Sequence, residues 1–382
     1  MKKKTDVVII GGGVVGTSIA YNLAKNGVTD VVVVERDTLS CGSTGRCAGG
    51  VRQQWSEPSN VRLARASIDI FKRFREEMGR DIGLVEGGYL LCAHTDEEAE
   101  RFKETVAMQR EVGADVRIVT PEEMRDITPY LNADGMILGA YCPDDCHGDP
   151  FQTTQGYAEN AKRLGVDIEL HTEVTAIKKK GRRATAVVTN RGEIECNWVV
   201  NAAGGYSAEV GAMAGVDIPT KSYRHQIAVT EPIRRIQEPL IVDFCVNIYF
   251  CQTAHGSFLA GYGDDTEKPG HNVRSTWQFL QEISRRLTAL VPALRDISVV
   301  RQWAGLYNMS PDAQPILGKV SDEVENFICA VGFSGHGFML APITGVLMAE
   351  LITYGETRTL PIDGLSIKRF EGGVRSAEAN VV

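Results

Sequence analysis

The chain has 382 residues, enough to bury a large core, and a length of this order suggests two domains. Its hydrophobic content of 43% and charged content of 24% are ordinary for a globular protein. The formal net charge of −8 argues against a nucleic-acid partner, which needs a basic surface, and no apolar run approaches the length that spans a bilayer.

The chain opens on Met-Lys-Lys-Lys-Thr-Asp, which resembles a secretory n-region, but glycines that the fold needs interrupt the apolar stretch behind it, so export is not expected. Val7–Ile10 reads as a short buried strand. Gly11-Gly12-Gly13-Val14-Val15-Gly16 follows, then a helix-compatible stretch to Asn26 and a second apolar run, Val31–Val34, closing on Glu35. Each residue type has a task in a βαβ dinucleotide site. Gly11 makes the tight turn, Gly13 lets the backbone approach a pyrophosphate, and Gly16 lets the helix pack closely on the sheet. The diphosphate would rest on the helix N-terminus, where free N–H groups and the helix dipole favour an anion. Glu35 lies roughly 20 residues past the motif, where an acid accepting hydrogen bonds from an adenosine ribose belongs. Its charge disfavours NADP, and the motif leaves FAD and NAD both open.

Residues 36–60, rich in glycine, serine and arginine, predict a loop entering a short helix, with Ser43 or Thr44 as cap. Apolar positions from Ser59 to Met78 fit a helical stripe. Strands are predicted at 84–95 and 115–120 around a helix at 96–112, and Thr120-Pro121-Glu122-Glu123 looks like a helix start. Cys142-Pro-Asp-Asp-Cys146-His147 lacks the second ligand pair of a closed zinc site and reads as a loop. The nine cysteines form an odd set without a paired framework, as expected of cytosolic thiols. A helix at 150–164 precedes strands at 167–172 and 174–178 and a hairpin-like pair at 184–200, ending in Asn201-Ala202-Ala203-Gly204-Gly205. Alternating stretches at 223–230, 240–253 and 257–263 predict an antiparallel sheet, and 273–290 a long amphipathic helix. A strand at Phe327–Val331 leads into Gly332-Phe333-Ser334-Gly335-His336-Gly337-Phe338, and a helix from about Pro342 to Leu351 would carry its proline in the first turn. The polar tail from Gly372 is expected to be mobile.

Together the N-terminal GGGVVG with Glu35, the NAAGG strand end and the GFSGHGF segment resemble the D-amino-acid oxidase superfamily of FAD enzymes, over about residues 5–365. Gly45–Gln54, Tyr223-Arg224-His225-Gln226, Gln302-Trp303-Ala304-Gly305 and Gly335-His336-Gly337-Phe338-Met339 look most similar to the β subunit of dye-linked L-proline dehydrogenases, with sarcosine oxidase β subunits as the neighbouring group. The resemblance implies an α/β fold: a Rossmann-like FAD-binding domain of the glutathione-reductase type, interleaved with an antiparallel-sheet substrate domain. The FAD-binding part would comprise 1–80, 141–215 and 311–382, and the substrate part 81–140 and 216–310.

It further implies that FAD is the cofactor. Gly11, Gly12, Gly13, Val15 and Gly16 form its turn and helix start. Glu35 and Arg36 would hold the adenosine end, and Ser43, Thr44, Arg46, Cys47 and Ala48 would line the pyrophosphate and ring. The backbone at Val174 would meet the adenine, and Ala203 and Gly204 would flank the diphosphate. Gly332, Gly335, His336, Gly337, Phe338 and Met339 would wrap the flavin, and Trp303 would pack against its pocket. Backbone N–H groups ahead of the last helix would stabilise the negative charge of the reduced ring.

Arg52 lies where sarcosine-oxidising relatives carry a carboxylate-binding arginine, a task a bidentate guanidinium suits. Tyr307 stands where glycine oxidase has its own carboxylate arginine, and Met339 where monomeric sarcosine oxidase has a lysine. Ala304 stands at the position of the cysteine that tethers flavin covalently, which implies noncovalent FAD. Leu259 stands at that of an oxygen-activating lysine, which favours a dehydrogenase over an oxidase. Tyr249 and His225 are expected in the substrate pocket.

The activity implied is hydride transfer to flavin from the C–N carbon of a small secondary amino acid such as proline or sarcosine, with electrons passed to a partner or dye. A peroxide-producing glycine or D-amino-acid oxidase, and an FAD-binding electron-transfer subunit inactive alone, are the alternatives. Relatives of the β type work with a larger subunit and sometimes a second flavin, FMN, at the interface; a homo-oligomer is the other arrangement. The expected location is the cytoplasm, or the membrane periphery.

Overall fold

The computed structural model describes residues 2–373 and 377–381. Two strands at its centre, β1 (Lys4–Ile10) and β2 (Val31–Val34), are parallel neighbours, and β1 pairs on its other side with the strand Gly192–Asn201, also in parallel. Unbroken apolar runs suit this position, because a parallel strand covered on both faces has no solvent side to alternate with. The sheet runs Ile316–Lys319, Phe327–Val331, Gly192–Asn201, β1, β2, Asp167–Glu169, and the strands Val174–Lys180 and Arg183–Thr189 extend it from Gly192–Asn201. Helix α1 (Val14–Lys25) and the closing helix Gly337–Tyr354 cover one face. A Cβ on Gly345 would strike the Ser18 hydroxyl, so the two helices meet almost backbone to backbone.

The second sheet is ordered Val299–Met309, Lys221–Thr230, Phe258–Tyr262, Ile248–Gln252, Leu240–Asp243, Tyr89–Ala93, Leu138–Cys142, Arg117–Val119. All its pairings are antiparallel except Leu240–Asp243 with Tyr89–Ala93. The helix Trp277–Leu290 buries Phe279, Ile283, Leu287 and Leu290 against it. A domain boundary at 140/141 would cut the strand Leu138–Cys142, which lies wholly in this sheet.

Several expectations are corrected. The 59–78 helix is broken at Arg73 into α2 (Pro58–Lys72) and Phe74–Met78. Ser43 gives no side-chain cap; its hydroxyl donates to the Leu306 carbonyl (2.7 Å), and the Thr44 hydroxyl accepts from Val14 N (3.2 Å). The closing helix starts at Gly337, so Pro342 lies inside it rather than in its first turn. It is also long and apolar enough to cross a membrane, with mean hydropathy 1.5, contrary to the expectation that no run approaches that length. Its apolar character has a local cause: 67% of it is buried, and a helix packed on most sides needs no polar face.

The tail is corrected too. Glu378 and Asn380 are buried and hydrogen-bonded to the body, so Ala377–Val381 is docked. Residues 374–376 and 382, included in that expectation, lie outside the described residues.

Candidate cofactor and substrate site

The glycine turn works as its pattern requires. Gly11 has φ +118°, which L side chains rarely adopt, and a Cβ there would strike the Ala202 carbonyl. Gly16 lies against the Gly11 carbonyl and off the cavity wall, so its role is close packing. Gly12 is also off the wall; its N–H donates to Glu35 Oε2 (2.7 Å), while Asp37 N donates to Oε1 (3.0 Å). The acid is thereby fixed at the end of β2 with its carboxylate across the turn.

One cavity runs from Glu35 and Arg36 past Gly11, Gly13, Val14 and Val15, along Ser43, Thr44, Arg46, Cys47 and Ala48, and between Ala203–Tyr206 and Gly332–Met339. At its far end stand Arg52, His225, Tyr249 and Tyr307. The first-turn N–H groups of α1 and of Gly337–Met339 have no intrahelical acceptor, and residues of both turns line this cavity. Two helix N-termini, a glycine turn and a terminal acid are the features an anionic dinucleotide requires, so the residues present fit FAD.

Val174 and Trp303 are off the wall. Val174 opens its strand opposite Thr189 and packs on the apolar cluster under the first sheet. Trp303 donates from Nε1 to the Arg46 carbonyl (3.0 Å), while Arg46 donates to the carbonyls of Ala304 (2.8 Å) and Cys41 (3.1 Å). Trp303 thus holds the cavity loop from behind. Ala304 and Leu259 are off the wall as well. Cys47 is on it, and burial pushes its thiol up to about 12, leaving a poor nucleophile.

The substrate end is aromatic. The Tyr307 and His225 rings stack at 4.1 Å and 4°, and His225 Nε2 lies 3.0 Å from the Tyr249 hydroxyl. Burial lowers His225 to about 3 and holds both phenols above their ordinary range, so all three are neutral near pH 7. Arg52, only 5% exposed, lies 3.9 Å over the Trp55 ring, donating to the carbonyls of Gln54 (3.0 Å) and Asn380. These acceptors are neutral; the carboxylates of Glu378 and Asp145 act on Arg52 through space, without a hydrogen bond to it.

Sequence reasoning missed several residues here. Tyr89, Ile227, Leu240 and Val242 line the same end, and Tyr206 forms a platform between Arg36 (3.7 Å) and His271 (4.2 Å). Asp145 is fully buried, pushed up to about 7 by that burial, and accepts from Gln53 N (2.9 Å) and Gln54 Nε2 (3.3 Å) behind Arg52. Asp145 lies in the Cys142–His147 segment, which reads as a loop, and Ile227, Leu240 and Val242 lie in stretches predicted only as strands.

The model of the DAO family, FAD dependent oxidoreductase, matches residues 6–351. A crystal structure of L-proline dehydrogenase from P. horikoshii is 37% identical, with a TM-score of 0.93, covering 98% of this chain and 100% of that one. Sarcosine oxidase subunit beta of Rhodobacter capsulatus is 28% identical over 93% of this chain and 86% of its own length. Mitochondrial dimethylglycine dehydrogenase of Rattus norvegicus is 31% identical over 93% of this chain, which spans only 44% of the rat protein.

Proposed function

Because the chain belongs to the DAO family of FAD-dependent oxidoreductases, we propose that it oxidises the carbon–nitrogen bond of a small secondary amino acid of the L-proline or sarcosine class. Arg52 carries this reading: a buried guanidinium on the wall of a cavity whose residues fit FAD, with neutral carbonyls and a ring as its direct contacts. Such a group suits a carboxylate, which can accept two parallel N–H bonds from it.

When bound, FAD supplies the hydride acceptor. The chain's own residues bind and orient the substrate. Arg52 would hold the carboxylate, and the Tyr249–His225–Tyr307 cluster would form a rigid wall beside the amine. Among the described wall residues the one acid is Glu35, at the adenosine end. An ammonium beside the positive Arg52 would be repelled by it, so the site favours a neutral amine, the form that can be oxidised. Tyr89, Ile227, Leu240 and Val242 add apolar surface suited to a small ring or an N-methyl group.

The test is anaerobic titration of the purified flavoprotein with L-proline, sarcosine, glycine and D-alanine. Bleaching of the oxidised flavin band by L-proline or sarcosine, with slow recovery in air, is the expected result. Preference for glycine or D-alanine with rapid peroxide formation would replace this reading with an oxidase. The likeness to a sarcosine oxidase β subunit supports the further proposal of a partner chain, with FMN at its interface, checked by co-purification and flavin analysis. The two-part division of the chain and a cytoplasmic location for its nine free cysteines belong to the same proposal.

A further inference from the structure

We propose that Glu378 is a positioning residue for the substrate carboxylate, fastening Ala377–Val381 across the start of α2 so that the Asn380 main-chain carbonyl holds Arg52. This rests on the reading of Arg52 given above.

Glu378 is 4% exposed, and five donors converge on its carboxylate: Ser56 N (2.8 Å), Ser56 Oγ (2.6 Å), Glu57 N (3.2 Å), Asn60 Nδ2 (2.9 Å) and Asn380 N (3.1 Å). Helix α2 receives no side-chain cap from Glu57 at its own N-cap position. An acid from the far end of the sequence takes that place, with its charge at the positive end of the helix dipole. The segment is fixed on both sides. Glu378 N donates to the Asp312 carbonyl (2.9 Å), and Ala379 N to Ser56 Oγ (2.9 Å).

Beyond this clamp, the Asn380 carbonyl accepts from Arg52 and its side-chain amide donates to the Gln54 carbonyl (3.2 Å). The Gln54 carbonyl also accepts from Arg52 (3.0 Å), which closes a ring of main-chain acceptors around one edge of the guanidinium. Trp55 covers a face of the group. A long side chain held this way gives up its rotamer freedom before the ligand arrives, so less is lost on binding. The distribution of charge matters equally. Had Glu378 itself paired with Arg52, the segment would compete with the substrate; its carboxylate is engaged at α2 instead and acts on Arg52 only through space, while a carbonyl makes the contact.

The experiment compares wild-type holoenzyme with Glu378→Ala, the milder Ser56→Ala and Arg52→Met. It follows anaerobic flavin reduction by L-proline, binding of pyrrolidine (the same ring without a carboxylate) and thermal unfolding. The expected result for Glu378→Ala is a rise of about tenfold in half-saturation by L-proline, the scale of losing alignment in one charge-assisted hydrogen bond, with a smaller change in limiting rate and none for pyrrolidine. Ser56→Ala, which keeps the acid, should shift in the same selective direction by about threefold and serves alone if Glu378→Ala does not fold. Equal shifts for proline and pyrrolidine, or lower stability with unchanged half-saturation, overturn the inference while Arg52→Met remains selective. If Arg52→Met is itself unselective, or wild type ignores L-proline, the reading of Arg52 falls and the inference falls with it.

Discussion

Replacing Gly335 by alanine tests whether the loop before the closing helix sets the aromatic wall. Gly335 has φ +94°, and a Cβ there would lie 2.5 Å from Cε2 and 2.6 Å from Cζ of Tyr307, inside the ring's contact distance. Gly355, just beyond the same helix, provides the control: its φ is +82°, but a Cβ there meets nothing within 4 Å. Both alanines incur left-handed strain, about 1–2 kcal/mol, and only Gly335→Ala adds an overpacking cost of about 1–3 kcal/mol. Urea unfolding of the two variants should therefore differ by the overpacking cost alone. Tyr307 can yield only by leaving its 4.1 Å stack on His225, so Gly335→Ala should also slow flavin reduction, while Gly355→Ala keeps the wild-type rate. Equal stability losses together with an unimpaired Gly335→Ala rate would refute the reasoning, because the loop would then have moved and the wall would not depend on it.

Arg52→Met removes a bidentate partner whose charge-assisted bonds are worth about 1.5–3 kcal/mol each. Relief of the arginine's own burial offsets part of this, so a loss of about a hundredfold in kcat/KM for L-proline is expected, measured by stopped-flow reduction. His225 is held neutral in the fold at about 3 against an ordinary 6.5. The stability this contributes is complete above pH 6.5 and is lost as pH falls toward 3. His225→Phe should accordingly flatten the acid limb of stability against pH by about 1.4 kcal/mol per pH unit; urea unfolding from pH 6.5 to 4 with an unchanged slope would contradict the buried assignment. Glu35→Ala strips the acceptor from Gly12 N and Asp37 N and removes the acid at the adenosine end. FAD should dissociate at least about tenfold more readily, read by flavin fluorescence on dilution.

What was legible in the sequence follows from range. Val7–Glu35 could be read because each feature, the buried strand, the φ +118° turn and the terminal acid, is dictated within a few residues of itself. The Gly332–Met339 loop was legible for the same reason. Pro342 misled because its local preference for a first turn is weaker than the packing of an apolar helix that begins at Gly337. Trp303 has the composition of a pocket aromatic, but strand direction and its bond to the Arg46 carbonyl decide where it points. Glu378 and Asn380 carry no pattern at all. Their partners at Gln54, Ser56 and Asn60 lie more than three hundred residues away, and only the fold brings them together.

The pairing of α1 with the closing helix also orders events during synthesis. The residues of α1 leave the ribosome long before one of their main packing partners, Gly337–Tyr354, and before a parallel neighbour of β1, Gly192–Asn201. Until those segments emerge, the cluster that holds Ile19, Ala20 and Leu23, all fully buried in the finished protein, is only partly covered. The dinucleotide unit is therefore begun long before it can be completed. A nascent chain stalled before residue 337 would present an unmatched apolar helix and half a cofactor cradle, the kind of surface that chaperones bind and that aggregates when they do not.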